Sequence, residues 1–121
     1  PSGTDIGAPP PDLGARIQDG LTKERWYLEP RLSVRDVAAR LGTNESYVSR
    51  ATNRELGGSF NQIVNAARIE HAKARLKDSS DSILSIALES GFNSKATFNR
   101  VFREVSGQTP SQFRRDPSQN P

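Results

Sequence analysis

The 121-residue chain has no cysteine and only one histidine and one tryptophan. Without cysteine there can be no disulfide, thiolate nucleophile or zinc knuckle, so any fold must be held by an apolar core alone. A lone His71 supplies neither a multi-histidine metal site nor a relay of several imidazoles. An enzyme built from this sequence would have to work with carboxylates or serines, yet no nucleophile paired with a base and no phosphate-cradling glycine loop is present. Long apolar runs are also missing: none approaches the roughly 18 residues of a membrane span. With 33% hydrophobic residues and a mean hydropathy of −0.69, neither a span nor a signal peptide is expected. No alternating strand pattern occurs, and every strong periodic signal is helical.

Charge is present but uneven. The formal net charge is +3 over the whole chain, whereas residues 33–115 hold 13 Lys and Arg against 8 Asp and Glu, an excess of +5. That bias fits an anionic partner such as nucleic acid, and equally a set of solvated helical arginines.

The ends are rich in helix breakers. Residues 1–11 carry four prolines and are expected to be a disordered linker, with another disordered tail over 117–121. Between them the pattern predicts seven helices. A first should run from Leu13 to about Leu28, with Leu13, Ile17 and Leu21 on one face and Trp26 and Leu28 closing it, until Pro30 stops it. Ser33-Val34-Arg35-Asp36 reads as a capping box opening a short helix to Leu41, which Gly42 ends. Asn44 caps a third helix to about Leu56, before Gly57-Gly58. Ser59-Phe60-Asn61-Gln62 is a second capping box and opens a long helix to about Lys77, with Phe60, Ile63, Val64, Ala67, Ala72 and Leu76 inward. A short helix over Ser82–Glu89 follows, ended by Gly91. Ser94 caps another to about Val105, with Phe98, Val101, Phe102 and Val105 inward. Thr109, Pro110 and Gln112 then form a capping box with proline at the first helical position.

An internal repeat runs through this array. Val37-Ala38-Ala39-Arg40-Leu41-Gly42 matches Ile86-Ala87-Leu88-Glu89-Ser90-Gly91, and Asn44 to Asn53 matches Ser94 to Arg103. In both copies a small alanine precedes a turn glycine by four residues, and Val48 or Phe98 anchors the next helix. This is the pattern of helix-turn-helix packing: the alanine permits close approach, the glycine permits the turn, and the exposed face of the second helix is free to enter a major groove. That face offers Glu45, Ser46, Ser49 and Arg50 in the first copy, and Lys95, Ala96, Asn99 and Arg100 in the second. These eight are the candidate base readers, and Arg50 and Arg100 stand at equivalent positions with the side chain best suited to fork onto guanine. Candidate backbone contacts are Asn44, Tyr47 and Arg54 in the first copy and Asn93, Ser94, Thr97 and Arg103 in the second, where helix N-termini and basic side chains meet phosphate.

Over roughly Leu21 to Arg115 these residues resemble the DNA-binding domain of the AraC/XylS transcription regulators. The likeness is carried by Pro30-Arg31-Leu32-Ser33-Val34, by Gly57-Gly58-Ser59-Phe60 and by Arg68-Ile69-Glu70-His71-Ala72-Lys73. It continues through Gly91-Phe92, Phe98-Asn99-Arg100-Val101-Phe102-Arg103, Gly107-Gln108-Thr109-Pro110 and Phe113-Arg114. The resemblance implies an all-α, bipartite, homeodomain-like domain over 12–116. Its two helix-turn-helix units, at about 33–57 and 82–106, are joined by a linker helix at about 59–77, and a terminal helix at about 109–115 follows. It also implies sequence-specific binding of double-stranded DNA in transcription control, usually activation, with no cofactor. RNA polymerase is an expected partner, as is an effector or oligomerisation domain upstream. No membrane contact is expected, and the place of action would be the bacterial cytoplasm, at the nucleoid. One departure stands out. Where the family's first unit usually has an aromatic and then a basic residue, this chain has Thr52 and Asn53, while the second unit keeps Phe102 and Arg103. The first unit is therefore expected to bury less apolar area and to hold its reading helix less firmly.

Competing readings apply to several residues. His71 lies between Glu70 and Lys73 with no second ligand in view, which favours a structural or solvated role over a pH switch. Arg68 is expected inside the fold, in an ion pair, rather than on DNA, and Trp26 and Tyr27 in the core or at its rim. The family-linked repair regulators accept a methyl group on cysteine, which this chain lacks. The alternative to a DNA-binding domain is a helical module for protein–protein contacts.

Overall fold

The computed structural model describes residues 10–117; most of the expected N-terminal linker, residues 1–9, and residues 118–121 of the expected tail lie outside the described residues. Among the described residues there are seven α-helices and no strand. They are α1 (Leu13–Thr22), α2 (Val34–Leu41), α3 (Glu45–Glu55), α4 (Phe60–Asp78), α5 (Ile83–Glu89), α6 (Lys95–Ser106) and α7 (Pro110–Arg115). The chain divides into two compact units at Val64 and Asn65, within α4.

In the first unit α1 packs on both α2 and α3, with Leu13, Ile17 and Leu21 fully buried. Helix α1 is shorter than its periodicity suggests. It stops at Thr22, and the chain reverses through Arg25, whose φ of 59° is left-handed, into a single 3-10 turn at Trp26–Leu28. Packing drives this reversal: Trp26 folds back onto Gly20, where any Cβ would run into the indole ring, and Tyr27 is buried. Arg40 lies over the Trp26 ring, 5.1 Å from its centroid, and donates twice to the Glu29 carboxylate at 2.7 Å. Both nitrogens of the fork are used, which fixes the plane of the guanidinium against the ring.

In the second unit a chain of aromatic contacts forms the core. Ring centroids of Phe92 and Phe98 are 5.2 Å apart, those of Phe98 and Phe102 5.6 Å, and those of Phe102 and Phe113 5.6 Å. Ile69, Ala72, Leu76, Ile86 and Ala87 complete it. The long helix does not present one continuous stripe: burial follows Phe60 and Val64 early, and Ile69, Ala72 and Leu76 later. Ile63 and Ala67 are only half-buried. At the far end of α6, Val105 is 47% exposed rather than inward, since the apolar face of that helix has already been filled by its three preceding residues Phe98, Val101 and Phe102.

Candidate nucleic-acid interface

Each turn that presents a candidate reading helix is closed by the same pair of backbone bonds. At the end of α2, Thr43 N donates to Ala38 O at 2.9 Å and Gly42 N to Ala39 O at 3.3 Å. At the end of α5, Phe92 N donates to Ala87 O at 3.1 Å and Gly91 N to Leu88 O at 3.3 Å. These are two Schellman motifs, and each needs its glycine, with φ of 70° at Gly42 and 100° at Gly91. Ala38 and Ala87, which accept the longer-range bond of each pair, are both buried.

The caps of the following helices match as well. Asn44 Oδ1 accepts from Tyr47 N at 2.9 Å, and Ser94 Oγ accepts from Thr97 N at 3.1 Å. The one extra residue of the second copy is used in the turn, where Phe92 enters the core beside Phe98. Asn93 remains exposed. Thus the repeat read in sequence is a repeat of backbone hydrogen bonding, and it sets the start and direction of α3 and α6 in the same way.

None of the fifteen candidate contact residues is buried. On α3, Ser46, Arg50 and Arg54 are exposed and Ser49 half-buried. Glu45 is exposed and lies 3.7 Å from Arg35. Tyr47 is half-buried, with the Arg50 guanidinium 5.8 Å from its ring centroid. Asn44 spends its oxygen on the cap. On α6, Lys95, Ala96, Thr97, Arg100 and Arg103 are exposed, and Asn99 and Ser94 half-buried. Ser94 also donates from its hydroxyl to Thr97 Oγ1 at 3.1 Å.

Beside α6 lies a cleft of about 430 Å³ whose lining includes Lys95, Asn99, Arg100, Arg103, Thr109 and Ser111. The last two come from the start of α7 and escaped the sequence reading, because their approach to α6 is tertiary. Glu104, which pairs with Arg100, was also missed, although its four-residue spacing from Arg100 is legible in the sequence.

The departure at Thr52 has a local solution. Thr52 is fully buried, and its hydroxyl donates to Ser49 O at 2.9 Å. The helix that carries this smaller side chain is also packed against α1. Asn53 turns back onto its own helix, donating to Ser49 O at 2.8 Å.

The scaffold behind the second reader is polar as well as aromatic. Arg75 donates to Glu89 and Asp81, each at 2.6 Å, and these acids hold its pKa above the usual arginine value. His71 Nε2 lies 3.6 Å from Glu89, so the histidine has an acidic neighbour on α5 that its position in sequence conceals. Arg114 donates to Leu76 O at 3.0 Å and Ser79 O at 3.1 Å, satisfying carbonyls at the end of α4. Arg68 is inside the unit, 5.7 Å over the Phe92 ring, and burial lowers its pKa. Among the described residues no group of three His, Asp or Glu could hold a metal ion, and no helix is long and apolar enough to cross a membrane.

Two helix-turn-helix units on one all-helical chain define a bipartite helix-turn-helix domain. The chain belongs to the AraC-type helix-turn-helix family, whose domain description matches residues 25–116. That family is one of DNA-binding transcription regulators, not an enzyme class.

Among its relatives, an uncharacterized HTH-type transcriptional regulator of Staphylococcus aureus is 40% identical over 85 residues, 70% of this chain but 11% of the relative. The C-terminal domain of AraT, a response regulator from Geobacillus stearothermophilus, has a similar structure with a TM-score of 0.79 and 27% identity, covering 85% of this chain and 84% of that one. The DNA-binding domain of AdpA, a global transcriptional factor solved with a target DNA, shares the fold with a TM-score of 0.75 and 24% identity, over 85% and 90% of the two chains.

Proposed function

We propose that this domain binds duplex DNA sequence-specifically, with α3 and α6 each laid into a major groove. The observation that carries the reading is the twofold use of one turn: two Schellman motifs and two side-chain caps lead into helices whose exposed faces carry Arg50 and Arg100 at the same register. In this reading Arg50 and Arg100 fork onto guanines, while Glu45, Ser46, Ser49, Lys95, Ala96 and Asn99 meet neighbouring base edges. Phosphates are met by Arg54, Arg103 and the polar groups at the helix starts, Asn44, Tyr47, Asn93, Ser94 and Thr97. The target DNA solved with AdpA and the local excess of positive charge support the same reading.

The chain spans 11% of the length of the Staphylococcus aureus relative. The whole protein is accordingly read as a regulator in which an effector or assembly domain controls this one, with RNA polymerase as its partner at the promoter. Action at the nucleoid follows from the same reading.

Selecting bound duplexes from a random pool tests the proposal. A recovered motif whose guanine preference is relaxed by Arg50→Ala in one part and by Arg100→Ala in another supports it. Failure to enrich any sequence at low salt would leave the helical protein-contact module as the better reading.

A further inference from the structure

Arg50 and Arg100 share a register, but the residue one turn further along differs in sign: Arg54 follows Arg50, and Glu104 follows Arg100. On α6 the acid is already engaged. Arg100 Nη1 donates to the two Glu104 carboxylate oxygens at 3.5 and 3.3 Å, with the side chains 61% and 62% exposed. On α3 the Arg50 guanidinium rests instead over Tyr47.

Arginine carries five N–H donors in a rigid plane. Glu104 takes only Nη1, so the Nε and Nη2 donors along the adjoining edge keep the parallel geometry that suits the O6 and N7 acceptors of guanine. Holding one corner of the plane from behind also reduces the rotamer freedom the side chain must lose on binding.

We propose that Glu104 is a positioning residue for base recognition: it orients Arg100 so that the Nε–Nη2 edge meets guanine, and thereby sets the guanine preference of the half-site read by α6. The inference rests on the assignment of Arg100 as a base reader. The first reader, with Arg54 in place of the acid, lacks this device and should discriminate less sharply through its own arginine.

The test is a double-mutant cycle on the 121-residue protein, with affinities measured for the selected duplex and for its single-base variants. Both side chains are exposed, and alanine favours the helix; far-ultraviolet circular dichroism confirms that each variant is folded. Arg100→Ala should reduce the preference at one guanine by roughly 5-fold or more. Glu104→Ala should reduce it by roughly 2- to 5-fold, the range that exposed ion pairs support, and should have no further effect in the Arg100→Ala background. Glu104→Gln, which keeps an acceptor oxygen, should retain part of the preference.

If Glu104→Ala leaves the preference unchanged, or changes it by the same factor with and without Arg100, the positioning role is overturned while Arg100 stands as a reader. If Arg100→Ala itself alters no base preference, the reader assignment fails first and this inference with it.

Discussion

Thr52 and Phe102 stand at equivalent places in the repeat, and both are completely buried, so truncating each to alanine compares how strongly the two reading helices are anchored. Phe102→Ala removes a ring that contacts Phe98 and Phe113, each at 5.6 Å between centroids. Loss of a core phenylalanine costs about 3–5 kcal/mol once the cavity is counted. Thr52→Ala removes one methyl, worth about 0.8 kcal/mol, and one hydroxyl bond to Ser49 O, worth about 1 kcal/mol. The total is near 2 kcal/mol. Thr52→Val should cost about 1 kcal/mol, the worth of the lost hydroxyl bond, because the branched shape is kept and Ser49 O keeps its bond from Asn53. Urea unfolding followed by circular dichroism gives the three values, and Trp26 fluorescence adds a probe confined to the first unit. If Thr52→Ala costs as much as Phe102→Ala, the idea that the second helix depends more on its own anchor is refuted.

Ser90 Oγ is buried with no hydrogen-bond partner among the described residues, so Ser90→Ala should be neutral or stabilising by up to about 1 kcal/mol in the same assay; a clear loss would mean that the hydroxyl is satisfied. Arg40 holds the Glu29 pKa below its ordinary value through paired hydrogen bonds and charge. A lowered carboxylate pKa gives stability that is present above the unfolded value and lost as pH falls through the folded one. Fluorescence of Trp26, which shares Arg40, should therefore change at a pH below the usual glutamate range, and Arg40→Ala should abolish that low-pH transition. Base substitutions in the half-site read by Lys95, Asn99 and Arg100 should cost more affinity than those in the half read by Ser46, Ser49 and Arg50; single-base variants of the selected duplex measure this, and equal or reversed sensitivity would contradict it.

Most of the helical array was legible because its punctuation is chemical. Ser33, Asn44, Ser59, Ser82, Ser94 and Thr109 each accept from a backbone N–H at their helix start, and Gly42 and Gly107 end helices in left-handed conformations. What escaped the sequence was decided by packing between distant residues. No glycine or proline lies between Leu21 and Trp26, so nothing local announced the reversal after Thr22; it follows from the fit of an indole on Gly20 and a guanidinium on the indole. The linker helix was misread in its inner face for a related reason. Its two halves serve different cores, so one extrapolated stripe missed Ile69, which is fully buried. At the candidate interface, register marked residues that the structure leaves exposed or half-buried on α3 and α6, whereas their neighbours Thr109 and Ser111 gave no such signal.

The two reading helices therefore begin alike and are supported differently. A shared Schellman turn and cap fix where α3 and α6 start, but they leave open how rigidly the far end of each helix is held. In the second unit Phe98 and Phe102 are buried in an unbroken line of rings ending at Phe113, so displacing α6 would disturb several edge contacts, each worth about 0.5–1.5 kcal/mol beyond burial. In the first unit Thr52 offers one methyl and an intrahelical bond, and the packing is supplied from outside the repeat by α1. Two polar side chains of α3 are also engaged within the protein: Glu45 lies near Arg35, and Arg50 rests on Tyr47. A base that needs these groups must compete with partners they already have. Lys95, by contrast, is exposed, and Arg100 keeps one donor edge clear of its acid. Since a mismatch penalty grows with the rigidity and availability of the groups that read it, the greater discrimination is expected of α6, even though both helices follow one repeated pattern.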